Sequence, residues 1–195
     1  MKKHSPVSLA TLGALLLLPA SVWAHAGFAT TTAFMSGLGH PLGGADHLLA
    51  MIAVGAWAVQ RGGRAIWALP GAFVGVMLLG TVLGRYGVAV PYVEAGILAS
   101  VLILGLLIAA ACRFSLAASA VIIAVFGVFH GHVHGAEMPA ALGAFSYTAG
   151  FVLGTVLLHA LGAAGAILLQ RLNVEKAVRL AGSAVALCGV YLVLA

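Results

Sequence analysis

Past its first two dozen residues the chain alternates long apolar runs with short clusters of glycine, proline and basic side chains. The runs cover 44–60, 65–84, 90–111, 114–134, 144–170 and 176–195. Each approaches or exceeds the ~20 apolar residues that a helix needs to cross a bilayer core. The pattern therefore predicts an all-α fold, a single polytopic bundle of six transmembrane helices over residues 25–195. The segment before them reads differently. Lys2 and Lys3 precede an apolar run at 9–18 that is too short for a span, followed by Pro19 and Val22-Trp23-Ala24, which puts small residues at −3 and −1 of a cleavage point. Residues 1–24 are expected to be a signal peptide, leaving His25 as the mature N-terminus.

Composition points the same way. Of 195 residues, 63% are hydrophobic and 7% charged, against about 25% charged in soluble domains. A net charge of +5 invites the thought of an anionic partner, but the basic residues stand singly at run ends and do not form the cluster that nucleic-acid binding requires. They act on topology instead. With His25 translocated, Arg61, Arg64, Arg113, Arg171, Lys176 and Arg179 fall in inner loops and only Arg85 in an outer one, as the positive-inside rule asks. This reading places the protein in a bacterial cytoplasmic (inner) membrane with both mature termini periplasmic. It puts Trp57 and Trp67 near the inner interface, and Tyr86, Tyr92, Tyr147 and Tyr191 near the outer one. Cys112 and Cys188 lie far apart in apolar surroundings and read as packing residues. There is no Walker-type phosphate loop, so no ATPase subunit is evident.

Glycine is abundant: 26 residues, several of them four apart, in Gly71/Gly75, Gly80/Gly84, Gly150/Gly154 and the series Gly127, Gly131, Gly135. Such strips allow helix backbones to approach closely. In the fourth run the strip lies about 100° around the helix from His130 and His134, so that helix can pack on one flank and present imidazoles on the next.

Two polar knots interrupt this apolar background: His40-Pro41-Leu42-Gly43-Gly44-Ala45-Asp46-His47 and Phe129-His130-Gly131-His132-Val133-His134-Gly135-Ala136-Glu137. Ionisable groups inside spans carry an insertion penalty of roughly 2.5–3.5 kcal/mol each and mark ion pathways or binding sites. His130, His134 and Glu137 share a helix face and offer two imidazoles and a carboxylate to one cation, while His132 points away as a mouth or supporting residue. On a regular helix His40 and His47 would sit about 10.5 Å apart along the axis. Pro41, Gly43 and Gly44 favour a break that folds His40 back toward Asp46 and His47.

Both knots fall at the outer ends of their spans, together with Glu94 of the third run. The combined candidate metal set is His40, Asp46, His47, Glu94, His130, His134 and Glu137. Nitrogen and oxygen donors without thiolate suit Ni, Co, Zn, Cu(II) or Fe. His159, mid-span in the fifth run, reads either as a core histidine bonded to a backbone carbonyl or as a relay below the outer site. His25, with a free amine beside its imidazole, is a candidate for capture at the mouth.

His-x5-Asp-His together with Phe-His-Gly-x-Val-His-Gly-x-Glu closely resembles the HupE/UreJ family of nickel permeases. The match involves His40, Asp46 and His47 in the first motif and Phe129, His130, Gly131, Val133, His134, Gly135 and Glu137 in the second. His132 occupies the variable position. The five-residue spacer separates the chain from a similar nickel/cobalt transporter group whose spacer is four. The resemblance implies secondary import of Ni(II), for some members Co(II), in the service of hydrogenase or urease maturation. It implies no permanently bound cofactor, the ion being substrate, and no enzymatic activity. Two other readings of the same residues remain at this stage: an intramembrane Zn-dependent hydrolase using Glu137 or Glu94 as general base, and a cytochrome with axial histidines.

Overall fold

The computed structural model describes residues 32–141 and 143–194, and all but the side chain of Glu175 among them. The expected signal peptide, its cleavage point and His25 lie outside the described residues. Within them the fold is helical throughout: α1 (Ala33–Gly39), a single 3-10 turn (His40–Leu42), α2 (Ala45–Arg61), α3 (Ala65–Arg85), α4 (Val93–Ala109), α5 (Leu116–Ala136), α6 (Ala144–Arg171) and α7 (Glu175–Leu194).

The break expected near Pro41 is present. Thr32 caps α1 by accepting from the Met35 N–H at 3.3 Å. Pro41 has no N–H to continue the ladder, and Gly44 is extended (φ −124°, ψ 135°) before α2 starts. The two halves meet at 81°. Four helices, α3, α5, α6 and Lys176–Leu194 of α7, are long and apolar enough to cross a membrane, or five spans if the bent pair counts as one. The third expected run is shorter than the pattern at 90–111 suggested. Positive φ at Gly87 (68°) and Tyr92 (58°) keeps the chain in a loop up to Val93, and Ala111 (φ 52°) turns it after Ala109.

Most of the glycine strips explain the packing. α3 and α5 run parallel in the most extensive helix contact of the fold. A Cβ on Gly127, Gly131 or Gly135 would strike the α3 backbone at Phe73, Met77 or Thr81, and one on Gly80 or Gly84 would strike α5 at Val128 or His132. α6 supports both halves of the broken span: Gly150 and Gly154 lie against Phe34 and Leu38 of α1, and Gly162 against Ile52 of α2. α7 packs antiparallel to α4 through Gly182 and Gly189. Gly71 and Gly75 depart from the expected role, since both face open space.

Two of the aromatic residues placed near the ends of the spans turn inward. Trp57 is completely buried, its indole N–H donating to the Cys112 carbonyl at 3.4 Å, and Tyr147 is only 2% exposed. Both lie on helix faces turned into the bundle, where ring size fills volume instead of anchoring an interface. Trp67, Tyr86, Tyr92 and Tyr191 are exposed, as are Leu79, Leu106, Leu161 and Leu187, and this apolar outer surface suits lipid. At the end of the bundle near the α4–α5 turn, Gln60 and Arg179 donate to the carbonyls of Ile108 (3.0 Å) and Ala109 (2.8 Å), and Arg61 donates to that of Phe114. The opposite end carries the two polar knots.

Candidate metal centre

The 81° bend and the α3–α5 packing together assemble the two knots. Because Gly131 and Gly135 are pressed against α3, the adjacent α5 stripe of His130 and His134 turns into the bundle, and both rings are fully buried. The 3-10 turn brings His40 over His134, with ring centroids 4.7 Å apart, and the first turn of α2 brings His47 to 4.9 Å from His134 and 4.8 Å from His130. Four imidazoles from segments some 90 residues apart thus share one small volume. Glu137, which caps the C-terminal end of α5 and is half exposed, closes the cluster from outside: its Oε2 lies 3.3 Å from His40 Nε2.

Hydrogen bonding assigns the ring tautomers. Asp46 Oδ1 accepts from the His47 backbone N–H (2.7 Å) and from His47 Nδ1 (2.9 Å). A carboxylate can only accept, so Nδ1 carries the proton and Nε2 keeps its lone pair. Gly44 makes this fold-back possible, since a Cβ there would stand 2.5 Å from Asp46 Oδ1. Ser100, on α4, does the same for His130. Its hydroxyl donates to the Ile97 carbonyl at 2.6 Å, so its oxygen accepts from His130 Nε2 at 3.0 Å, and His130 Nδ1 is left as the lone-pair nitrogen.

These two lone-pair nitrogens, His47 Nε2 and His130 Nδ1, are buried without a hydrogen-bond partner, as are both ring nitrogens of His134 and the Tyr147 hydroxyl. Leaving a buried polar atom unsatisfied costs about 1–3 kcal/mol, and so many in one place call for an explanation outside the chain itself. Neutral imidazole lone pairs facing one another are the donor chemistry of a borderline divalent cation. As they stand, the rings pack edge to face, and among the described residues no three His, Cys, Asp or Glu side chains converge on a common point for an ion. Loading would require the rings to swing about their χ angles. Phe151, stacked on His134 at 5.0 Å, and Phe73, 5.5 Å from His130, give the cluster apolar neighbours.

Of the residues singled out from sequence, His40, Asp46, His47, His130, His134 and Glu137 come together, although Asp46 reaches the cluster through His47. Glu94 does not join them. It lies on the α4 stripe that continues as Ile97, Val101 and Leu104, but in the first turn, beyond the point where neighbouring helices cover that stripe, and it is exposed. His132 binds the α3–α4 loop, its Nε2 lying 2.9 Å from the Val88 carbonyl. Sequence reading passed over Ser100, Tyr147, Phe73 and Phe151. Ser100 left a trace as the lone polar residue of the run from 95 to 111. The aromatic residues left none, because their role depends on which helices are neighbours.

A helical bundle with lipid-suited outer faces and a buried, unsatisfied imidazole cluster near one end belongs among polytopic membrane proteins that carry ionisable side chains in their interior. Residues 13–192 match the family described as HupE / UreJ protein. The chain is 44% identical over 187 residues to Protein HupE of Rhizobium leguminosarum bv. viciae, covering 96% of both chains. It is a member of the HupE/UreJ family. No solved structure matches it.

Proposed function

We propose that this protein is a secondary transporter that carries Ni(II) or Co(II) inward across a bacterial cytoplasmic membrane, supplying hydrogenase or urease maturation. The observation that carries the reading is the set of buried, unpartnered nitrogens on His47, His130 and His134. Family membership and the likeness to Protein HupE support it. The cation enters at the end of the bundle marked by Glu137 and Glu94, where carboxylates offset its charge as water is shed. Glu137 releases His40 to the ion, while Asp46 and Ser100 hold His47 and His130 with their lone pairs inward. An arrangement without thiolate and with mobile rings suits binding firm enough to select and loose enough to release. In the membrane the chain makes six crossings, the broken α1–α2 segment counting as the first and α4 as a short third. Residues 1–24 are removed as a signal peptide, and both mature termini are periplasmic.

The test is nickel uptake into proteoliposomes. Wild type accumulates the ion, whereas His134→Ala and Asp46→Asn, which removes an acceptor charge from His47, lose at least about tenfold in initial rate. Equal uptake by all three proteins, or none by the wild type, would defeat the reading.

A further inference from the structure

His159 is not part of the cluster, yet it shares the cluster's defining property. It lies in the middle of α6, 12 residues before Arg171, and is 3% exposed, with neither ring nitrogen bonded to anything. A histidine kept only for packing ordinarily donates its N–H to a carbonyl or hydroxyl, because a neutral imidazole always has one proton and one lone pair to satisfy. This one does neither, in a helix-rich interior where such partners exist. Its surroundings give a direction. Phe73 stands between the cluster and His159, its ring centroid 5.5 Å from that of His130 and 5.2 Å from that of His159, edge to face with the latter. One helical turn from each toward the cluster end, the Thr155 hydroxyl donates to Met77 Sδ at 3.8 Å. An imidazole, a benzene ring and a second imidazole thus form a column leading from the cluster toward the middle of the bundle.

We infer that His159 is a second, deeper ligand for the transported cation, met after the ion leaves the cluster. The inference rests on the transport reading above. With no carboxylate among the column's members, the station holds a dehydrated divalent ion weakly, as a point of passage should, and Phe73 must turn aside for the ion to reach it. Borderline metals that accept nitrogen ligands, Ni(II) and Co(II), are the class it takes.

The experiment compares His159→Gln, which is similar in size but a poor ligand, with His159→Cys, which can ligate. Nickel binding by the purified proteins in detergent reads the cluster; nickel and cadmium uptake into proteoliposomes reads passage. His159→Gln should bind nickel within about twofold of wild type while its uptake falls about tenfold or more. His159→Cys should keep substantial uptake and shift its cadmium-to-nickel ratio upward by about fivefold or more, since thiolate favours the softer ion. A packing role would not move that ratio, and if the glutamine variant fails to fold, the cysteine variant alone decides. Nickel uptake that His134→Ala abolishes and His159→Gln leaves at the wild-type rate overturns this inference and spares the transport reading. Equal impairment of both His159 variants with an unchanged metal ratio also overturns it. No uptake by the wild type overturns both.

Discussion

Asp46 and Ser100 show how a single acceptor oxygen can fix which nitrogen of a buried histidine faces its neighbours. Each takes the proton-bearing nitrogen of a histidine and leaves the other nitrogen facing the cluster, the arrangement by which supporting residues fix ring orientation in metal sites. Ser100→Ala is therefore expected to weaken nickel binding by about tenfold, read by titration in detergent, because His130 becomes free to rotate or to present the wrong nitrogen. Ser100→Cys, a weaker acceptor, should fall between. At this scale much was legible in the sequence. His130, His134 and Glu137 are spaced at helical intervals, and the proline and glycines between His40 and His47 signal the break that brings those two together. Glu94 was not legible, because a carboxylate within an apolar run looks buried until the end of its helix is known. Ser100 and Tyr147 were not, because their partners lie on other helices.

At the scale of elements, the close contact of α3 with α5 aims the histidines. Gly131→Ala would drive a Cβ into the Met77 carbonyl of α3. Backbone cannot move aside as a side chain can, so the variant should lose about 1–3 kcal/mol of stability. It should melt earlier in detergent and bind nickel less well, since His130 and His134 turn with the helix. Gly75→Ala, on the open side of α3, is the contrast. It should leave binding intact and leave the melt unchanged or raise it by the equivalent of about 0.5–1 kcal/mol, because alanine loses less backbone freedom. The four-residue spacing of glycines told which helices could pack closely. It did not distinguish Gly71 and Gly75 from the others, since spacing gives a face of a helix but not what lies opposite. The shortened α4 was hidden for a related reason: Tyr92 and Ala111 take positive φ, a conformation that their side chains do not announce.

At the scale of the whole molecule, the bundle is divided between an end where Gln60, Arg61 and Arg179 hold the α4–α5 turn and an end where carboxylates and imidazoles gather. Hydropathy made the helical class readable and, of the six expected crossings, the four or five segments long and apolar enough to span, because a bilayer imposes length and apolarity directly on sequence. Orientation rests on the distribution of Arg and Lys, which sets out a concrete expectation. A phosphatase fused after Ala195 should be active on the periplasmic side, and the mature chain should begin at His25 by mass spectrometry; an inactive fusion on a stably inserted protein would reverse the direction of transport argued here. The central claim is that the buried imidazoles of both knots hold one divalent ion, and nickel K-edge X-ray absorption of the loaded protein addresses it most directly. The account predicts a first shell of nitrogen and oxygen only, with multiple scattering from at least two imidazoles that disappears in the His47→Ala/His134→Ala double variant. A spectrum without imidazole scattering, or one that the double variant leaves unchanged, would contradict it.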